Sequence, residues 1–295
     1  MSGLFDPRQV RRAFSRAAGS YDRAARLQHA VEARLLESLD YLEDRLPATV
    51  ADLGCGPGTA AIAMRARWPK ARVVALDLAL PMLRQLKPRA GWNPLQRPLD
   101  RVCADVRALP LADDSVDVLF CNLCLQWVDD LDAAFAGFRR VLRPGGLLLC
   151  STFGPDTLFE LREAFAQADA VPHVSPFTPI AAFGDALMHA GFRDPVLDRE
   201  VEVAAYPDMV ALMRELRALG ATNALASRRR ALTGRARFAA AQAAYESWRS
   251  DDGSLPATWE TITAMAWSPA HGAPIRERGG EIARFPATGI PVRRR

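Results

Sequence analysis

Residues 49–59 read Thr-Val-Ala-Asp-Leu-Gly-Cys-Gly-Pro-Gly-Thr. A short apolar run ends in an acid, Asp52, and Gly54, Gly56 and Gly58 alternate behind it. This is the pattern of a buried strand that delivers a glycine loop to a helix start. The glycines let backbone come close to a ligand, and the helix start leaves N–H groups free. Spacing selects among nucleotide-type guests. A dinucleotide fingerprint runs Gly-x-Gly-x-x-Gly, whereas here the third glycine comes one residue early and Thr59 holds the later position. No Gly-Lys-Ser/Thr follows, which removes the phosphate-binding P-loop.

Outward from this loop, short apolar strands alternate with helices. Strand patterns lie at 71–77, 101–106, 116–123 and 145–153, and helical ones follow Pro57 and Pro81 and span 130–142. Nearly all-apolar strands in this rhythm predict a parallel sheet covered on both faces. Residues 7–46 read as helices. Beyond Phe153 the segments 158–169, 181–191, 209–220 and 234–249 are helical, and 195–206 is read as the antiparallel edge of the sheet.

Composition bounds the function. The 295 residues are 49% hydrophobic, enough for a large core. No apolar run is long enough for a membrane span, and the N-terminus lacks an apolar signal core, so a cytoplasmic protein is expected. The net charge of +4 is uneven: residues 201–295 hold 14 Arg against 9 acids, an excess that suits an acidic partner or a solvated face. No aromatic-interleaved basic stripe points to nucleic acid. Cys121 and Cys124 form a C-x-x-C without a second Cys/His pair nearby, and they read as small buried hydrophobes. His29, His173, His189 and His271 have no metal spacing, so no metal is expected.

An acid, two glycines and a third glycine in the order Asp-x-Gly-x-Gly-x-Gly after a strand resembles the first motif of the class I S-adenosylmethionine-dependent methyltransferases. That resemblance implies a Rossmann-like α/β fold with a mostly parallel seven-stranded sheet, an N-terminal helical lid and a helical cap insertion. It implies a cofactor cradle from Asp52, Gly54, Cys55, Gly56 and Gly58. Asp77 ends the second strand, nineteen residues past Gly58, where an acid accepts ribose hydroxyls. Leu78 and Met82 would flank adenine, and Asp105 with the N–H of Val106 would meet its amino edge. Asn122 and Leu123 follow the fourth strand, at the ligand-bearing edge of such sheets, and Gln126 and Trp127 would line the acceptor side. Arg143 sits at the opposite edge and reads as structural.

A narrower resemblance runs through residues 8–240. RRAFSRAAGSYDRAARLQHAVEARLL (11–36), DLGCGPG, CNLCLQW, RVLRPGG, LRALGATN (216–223) and LTGRARF (232–238) are similar to the malonyl-acyl-carrier-protein O-methyltransferases of biotin synthesis. This implies methyl transfer to the free carboxylate of a malonyl thioester on an acidic carrier protein. Tyr21 would close over the donor as part of a lid (1–46), joined to a cofactor-binding core (47–206), a helical cap and substrate region (207–267) and a loose basic tail (268–295). A carboxylate is ionised at neutral pH, so no general base is needed and positioning carries much of the rate. Arg217, with Arg214 beside it, is the expected partner of that carboxylate. Arg228, Arg229 and Arg230, with Arg235 and Arg237, form the expected carrier patch. One departure stands against this. FGPDTLFELREAF (153–165), PHVSPF (172–177) and DGSLPATWE (252–260) resemble more closely a mitochondrial complex I assembly factor, which has the methyltransferase fold and resembles an arginine hydroxylase. A protein-arginine modifier and a non-catalytic S-adenosylmethionine-binding assembly protein therefore stay open at this point.

Overall fold

The structure is a computed structural model that describes residues 3–86, 97–231 and 233–270, and the backbone of 87–90, 275–277 and 280–282. Most of the expected loop at 88–98 and most of the tail, with His271, lie outside the described residues. Seven strands form the main sheet: β1 (Thr49–Leu53), β2 (Arg72–Asp77), β3 (Asp100–Cys103), β4 (Val116–Cys121), β5 (Leu142–Phe153), β6 (Arg193–Tyr206) and β7 (Leu255–Trp267). Their order is β3-β2-β1-β4-β5-β7-β6. The first five are mutually parallel. Separately, β8 (Ile275–Glu277) pairs antiparallel with β9 (Gly280–Ile282).

Two expectations need correction here. β6 is the edge strand, but β7 is the antiparallel one, because it runs against both β5 and β6. The helical reading of 207–267 fails over 255–267 for the same reason. LPATWETITAMAW mixes strand and helix formers, and its tertiary place decides its state: hydrogen-bonded neighbours on both sides override local propensity.

Period-two alternation splits the strands between two cores. Leu119, Cys121, Leu148 and Cys150 face one, capped by Phe135 and Phe138 of α6 (Leu131–Val141) and Phe183 of α8 (Ile180–His189). Val118, Phe120, Leu147 and Leu149 face the other, against α4 (Thr59–Arg67) and α5 (Leu80–Ala90). At the N-terminal edge, Asp117 accepts the N–H groups of Ala48 and Thr49 and pairs with Arg143 at 2.7 Å. Arg143 thus ties strand starts together, far from the glycine loop.

Over the carboxyl ends of the strands sits a third apolar cluster. It joins α7 (Phe159–Ala168), α9 (Met209–Ala218) and α10 (Arg235–Tyr245) to the ends of β5, β6 and β7. The lid consists of α1 (Pro7–Ala17), α2 (Tyr21–Ala24) and α3 (Arg26–Glu37). Its first residues are stitched to the cap. Phe5 bridges Leu225 in antiparallel fashion, Asp6 N–H donates to the Ala224 carbonyl, and Ser20 Oγ donates to Ala218 O at 2.9 Å. Gly220 explains part of the LGATN segment. Its φ is +76°, and a Cβ there would stand 3.2 Å from the Ala13 carbonyl and 3.1 Å from the Phe14 ring. Only a glycine lets α1 settle that closely.

Candidate functional site

The glycine loop takes left-handed backbone at Gly54, Gly56 and Gly58, with φ of +67°, +51° and +85°. A side chain at Gly54 would collide with Cys124 Sγ, and one at Gly58 with Leu86. Above Gly56 the nearest obstacle to a Cβ is the Tyr21 ring at 3.9 Å, so this backbone faces the site. Asp52 lies beneath the loop, buried, and its carboxylate accepts Ala61 N–H at 3.0 Å in the unsatisfied first turn of α4. Asp77 closes the loop from the other side. Its two oxygens accept Gly56 N–H at 2.9 Å and Ala79 N–H at 2.7 Å. Burial pushes its carboxyl up to about 6, against which those two bonds work.

A cavity of about 780 Å³ opens over these groups. Gly54, Gly56, Asp77, Leu78 and Met82 form one side, and Asp105, Val106, Asn122 and Leu123 the other. The lid roofs it with Phe5, Val10, Phe14 and Tyr21. Asp52 and Cys55 line a smaller adjoining space of about 350 Å³, and Gly58 serves packing of α5 on α4 through Leu86. Asp105 is held by its own neighbour: Arg107 donates to both of its oxygens, at 2.9 and 2.6 Å. Burial opposes ionisation of Asp105, but Arg107 prevails and keeps the carboxyl below its usual value.

These residues fit an adenosyl sulfonium. Each oxygen of Asp77 retains a lone pair for a ribose hydroxyl, and the Tyr21 ring offers a π-face to a cation. Burial, with Asp77 and Glu32 nearby, raises the Tyr21 phenol above the usual tyrosine range. It therefore stays protonated and is not a base.

A second cavity, also about 780 Å³, abuts the first through Phe14, Tyr21, Leu123 and Trp127. Its wall is mainly apolar: Phe153, Leu158, Leu161, Val174, Phe177, Leu216 and Trp259. Between the cavities the backbone is strained. Leu123 has φ of +45°. Ser151 Oγ accepts the Leu123 N–H and donates to Asn122 Oδ1 at 2.7 Å, while Asn122 Nδ2 donates to the Gln28 carbonyl. Gln126 Nε2 donates to the Leu123 carbonyl. Three buried polar atoms in side chains lining this second cavity have no partner: Gln28 Oε1, Gln126 Oε1 and Trp127 Nε1. Each such orphan costs about 1–3 kcal/mol unless a ligand meets it.

Several acceptor-side expectations are corrected. Arg214 and Arg217 are exposed on α9 and line neither cavity. Helical phase turns Leu216 inward, and therefore its neighbour Arg217 outward. Arg228 is spent on the lid, donating to Asp6 at 3.0 Å and to the Leu225 carbonyl. Arg229 pairs with Asp169, whose side chain is 3% exposed. Of that trio, Arg230 alone is exposed, and Arg228 and Arg229 are half-buried. His173, which has no metal spacing in the sequence, lines the second cavity, stacked 4.1 Å over Phe165 with Nε2 3.3 Å from Asp169. Cys124, expected to be buried, is half-buried and lines the first cavity. Gln28, Glu32 and Ser151 were missed. Glu32 takes the Ala60 N–H beside the glycine loop, and burial raises its carboxyl to about 7. The sole signal was their place in the lid helix and near the end of a buried strand.

The segments at 153–165 and 252–260 meet in one clasp. Glu260 accepts from Asp156 N–H and Arg199, and Glu160 accepts from Thr258 N–H and Oγ1. Their shared residues thus serve the fold and the apolar cavity wall.

Comparison with known proteins matches residues 51–150 to a methyltransferase domain. A malonyl-acyl-carrier-protein O-methyltransferase of Xylella fastidiosa is 60% identical over 295 residues, covering 100% of this chain and 99% of that protein. The chain belongs to the malonyl-acyl-carrier-protein O-methyltransferase family. Another enzyme of that name, from Methylovorus sp., is 48% identical over 90% of both chains. Matching across the whole chain places the clasp segments inside the malonyl-acyl-carrier-protein O-methyltransferase pattern. Among solved structures, a provisionally assigned methyltransferase of Bacillus halodurans shares the fold, with a TM-score of 0.59 at 17% identity over 81% of this chain and 100% of that one. The YcgJ protein of Bacillus subtilis does so at 0.58 and 14%, over 82% and 99%. Among the described residues, no helix is long and apolar enough to cross a membrane.

Proposed function

We infer that the chain transfers a methyl group from S-adenosylmethionine to the free carboxylate of a malonyl thioester on an acyl-carrier protein, an early step of biotin synthesis. The observation that carries this reading is the meeting of two cavities at Tyr21, Leu123 and Trp127, one with a buried diol acceptor and one apolar with orphaned polar atoms.

The bound donor supplies an electrophilic methyl on a sulfonium. Asp77 holds the ribose, and the side chains of Tyr21 and Phe14 shut water out on the lid side. The Asn122–Ser151 bond fixes the strained turn at Leu123 where the cavities join. The acceptor carboxylate arrives ionised, so no residue removes a proton. Among the described residues, no Arg or Lys lines the acceptor cavity. Recognition by a neutral donor, the Trp127 indole N–H, leaves the carboxylate more nucleophilic than a tight ion pair would. Gln126 Oε1 is an acceptor and suits an amide N–H of the carrier's pantetheine arm.

The test incubates the protein with malonyl-carrier protein and labelled S-adenosylmethionine and looks for a methyl ester by intact mass. Absence of ester from protein that binds the donor overturns the reading. Growth of a biotin-requiring strain lacking this activity, on introduction of the chain, supports it.

A further inference from the structure

The lid helix carries an uncompensated charge. Within α1, PRQVRRAFSRA holds Arg8, Arg11, Arg12 and Arg16 and no acid. Arg8, Arg12 and Arg16, four residues apart, share the face opposite Val10, Ala13, Phe14 and Ala17, and Arg11 stands at its border, where it lines the donor cavity. All four arginines are exposed, and none forms an ion pair with a described residue. Other arginines on this surface do better: Arg67 meets Asp40, Arg72 meets Asp100, Arg140 meets Asp113 and Arg249 meets Glu246. Like charges at i, i+4 repel one another, and Arg8 also stands at the positive end of its helix. Asp6 caps that end but is engaged by Arg228. The fold therefore maintains an arginine face that the acids among the described residues do not neutralise.

Position gives this face a use. The inner side of the same helix roofs the donor cavity, and Phe14 lines both cavities. A partner seated on α1 stands beside the place where donor and acceptor meet. We propose that the arginine face of α1, and not the 228–230 segment, is the docking surface for the carrier protein. The occupant is a protein with an acidic surface, whose carboxylates complete the ion pairs that this chain leaves open. Arginine suits the task because it stays charged and grips carboxylates with two N–H groups. This rests on the carrier-linked acceptor proposed above.

The experiment replaces Arg8, Arg12 and Arg16 together by Gln in the full chain, leaving Arg11, which touches the donor cavity. Glutamine preserves helix propensity and removes charge. Steady-state rates are measured with malonyl-carrier protein and with malonyl-pantetheine, a thioester lacking the protein, and donor affinity by calorimetry. The expected result is a KM for malonyl-carrier protein raised tenfold or more and less sensitive to salt, with malonyl-pantetheine turnover and donor affinity within twofold of the parent. An unchanged KM for the carrier substrate overturns the docking surface. A parallel loss of donor binding and of malonyl-pantetheine turnover also overturns it, because the helix would then serve only the lid. Failure of the parent protein to methylate either thioester instead overturns the proposed function.

Discussion

Asp77 and Gly56 are joined by a 2.9 Å hydrogen bond from the loop N–H to the strand-end carboxylate. One acid thus fixes the shape of the glycine loop and lines the cavity above it. The second oxygen is held in the same way by Ala79 N–H, so the carboxylate plane is set before any ligand arrives.

Replacing Asp77 by Asn tests this double role. The amide keeps the volume but loses one acceptor and the charge. Donor affinity falls by about 1.5–3 kcal/mol, on the order of ten- to a hundredfold, the usual worth of hydrogen bonds to a charged group. Calorimetry with S-adenosylmethionine measures it, and an affinity within twofold of the parent refutes the ribose assignment.

Donor binding depends on pH through the same group. Burial raises the Asp77 carboxyl to about 6 from the usual 3.8, so below that value the donor-free protein holds a proton there. Ribose hydroxyls donate to the ionised form, and binding therefore expels the proton. Affinity rises with pH up to about 6 and then levels, with a limiting slope of about tenfold per unit below it. Glu32, raised to about 7, extends the upper part of that rise if its charge faces the cationic donor. The raised value also means that the folded chain binds this proton more tightly than the unfolded one. Stability of the donor-free protein accordingly declines as pH climbs from 3.8 to about 6. Titration by calorimetry across pH 5–8 reads the first effect, and a flat profile excludes it.

Trp127 is the test of neutral recognition. Phenylalanine there keeps an aromatic ring against Phe5 and Phe14, which meet Trp127 edge-on at 5.8 and 5.5 Å. It deletes the buried, unpartnered N–H. The kcat/KM for the malonyl substrate drops by roughly ten- to a hundredfold, the cost of a hydrogen bond to a charged acceptor. Donor affinity changes little. An unaltered kcat/KM removes Trp127 from acceptor binding.

Gly220→Ala probes the seam between lid and cap. Positive φ and the Ala13 carbonyl at 3.2 Å both resist a Cβ. A loss of about 1–3 kcal/mol in stability follows from strain of this kind, with weaker donor binding because α1 is displaced. Thermal melts with and without donor measure both, and an unchanged melting temperature shows that the seam has room.

The gathering of residues around the first cavity was legible in the sequence because it is local. Each acid closes a strand within a few residues of its partners, and Gly54, Gly56 and Asp77 sit at spacings set by one strand-loop-helix unit. The acceptor half was not. Its wall gathers Gln28, Trp127, Phe153, His173, Leu216 and Trp259 from segments far apart in the chain. Arg217 illustrates the failure: its chemistry suited a carboxylate, but the burial of Leu216 sets the helix phase and turns it outward. Arg228 and Arg229 looked like a surface run, and only the folded chain brings Asp6 and Asp169 to them. β7 was misread because two flanking strands, not its own residues, make it a strand.

Insertion of that strand has a consequence for biosynthesis on the ribosome. β5 is complete by residue 153 and β6 by 206, but the strand that separates them ends at Trp267. While the chain is being made, both keep open edges with unpaired backbone groups, and β6 must wait without its sheet partner. Phe5 waits likewise for Leu225 before the lid is anchored. The nascent chain is thus most vulnerable to strand-edge association in the interval after residue 206 emerges. The lid over the donor cavity is anchored only once Leu225 has emerged to meet Phe5.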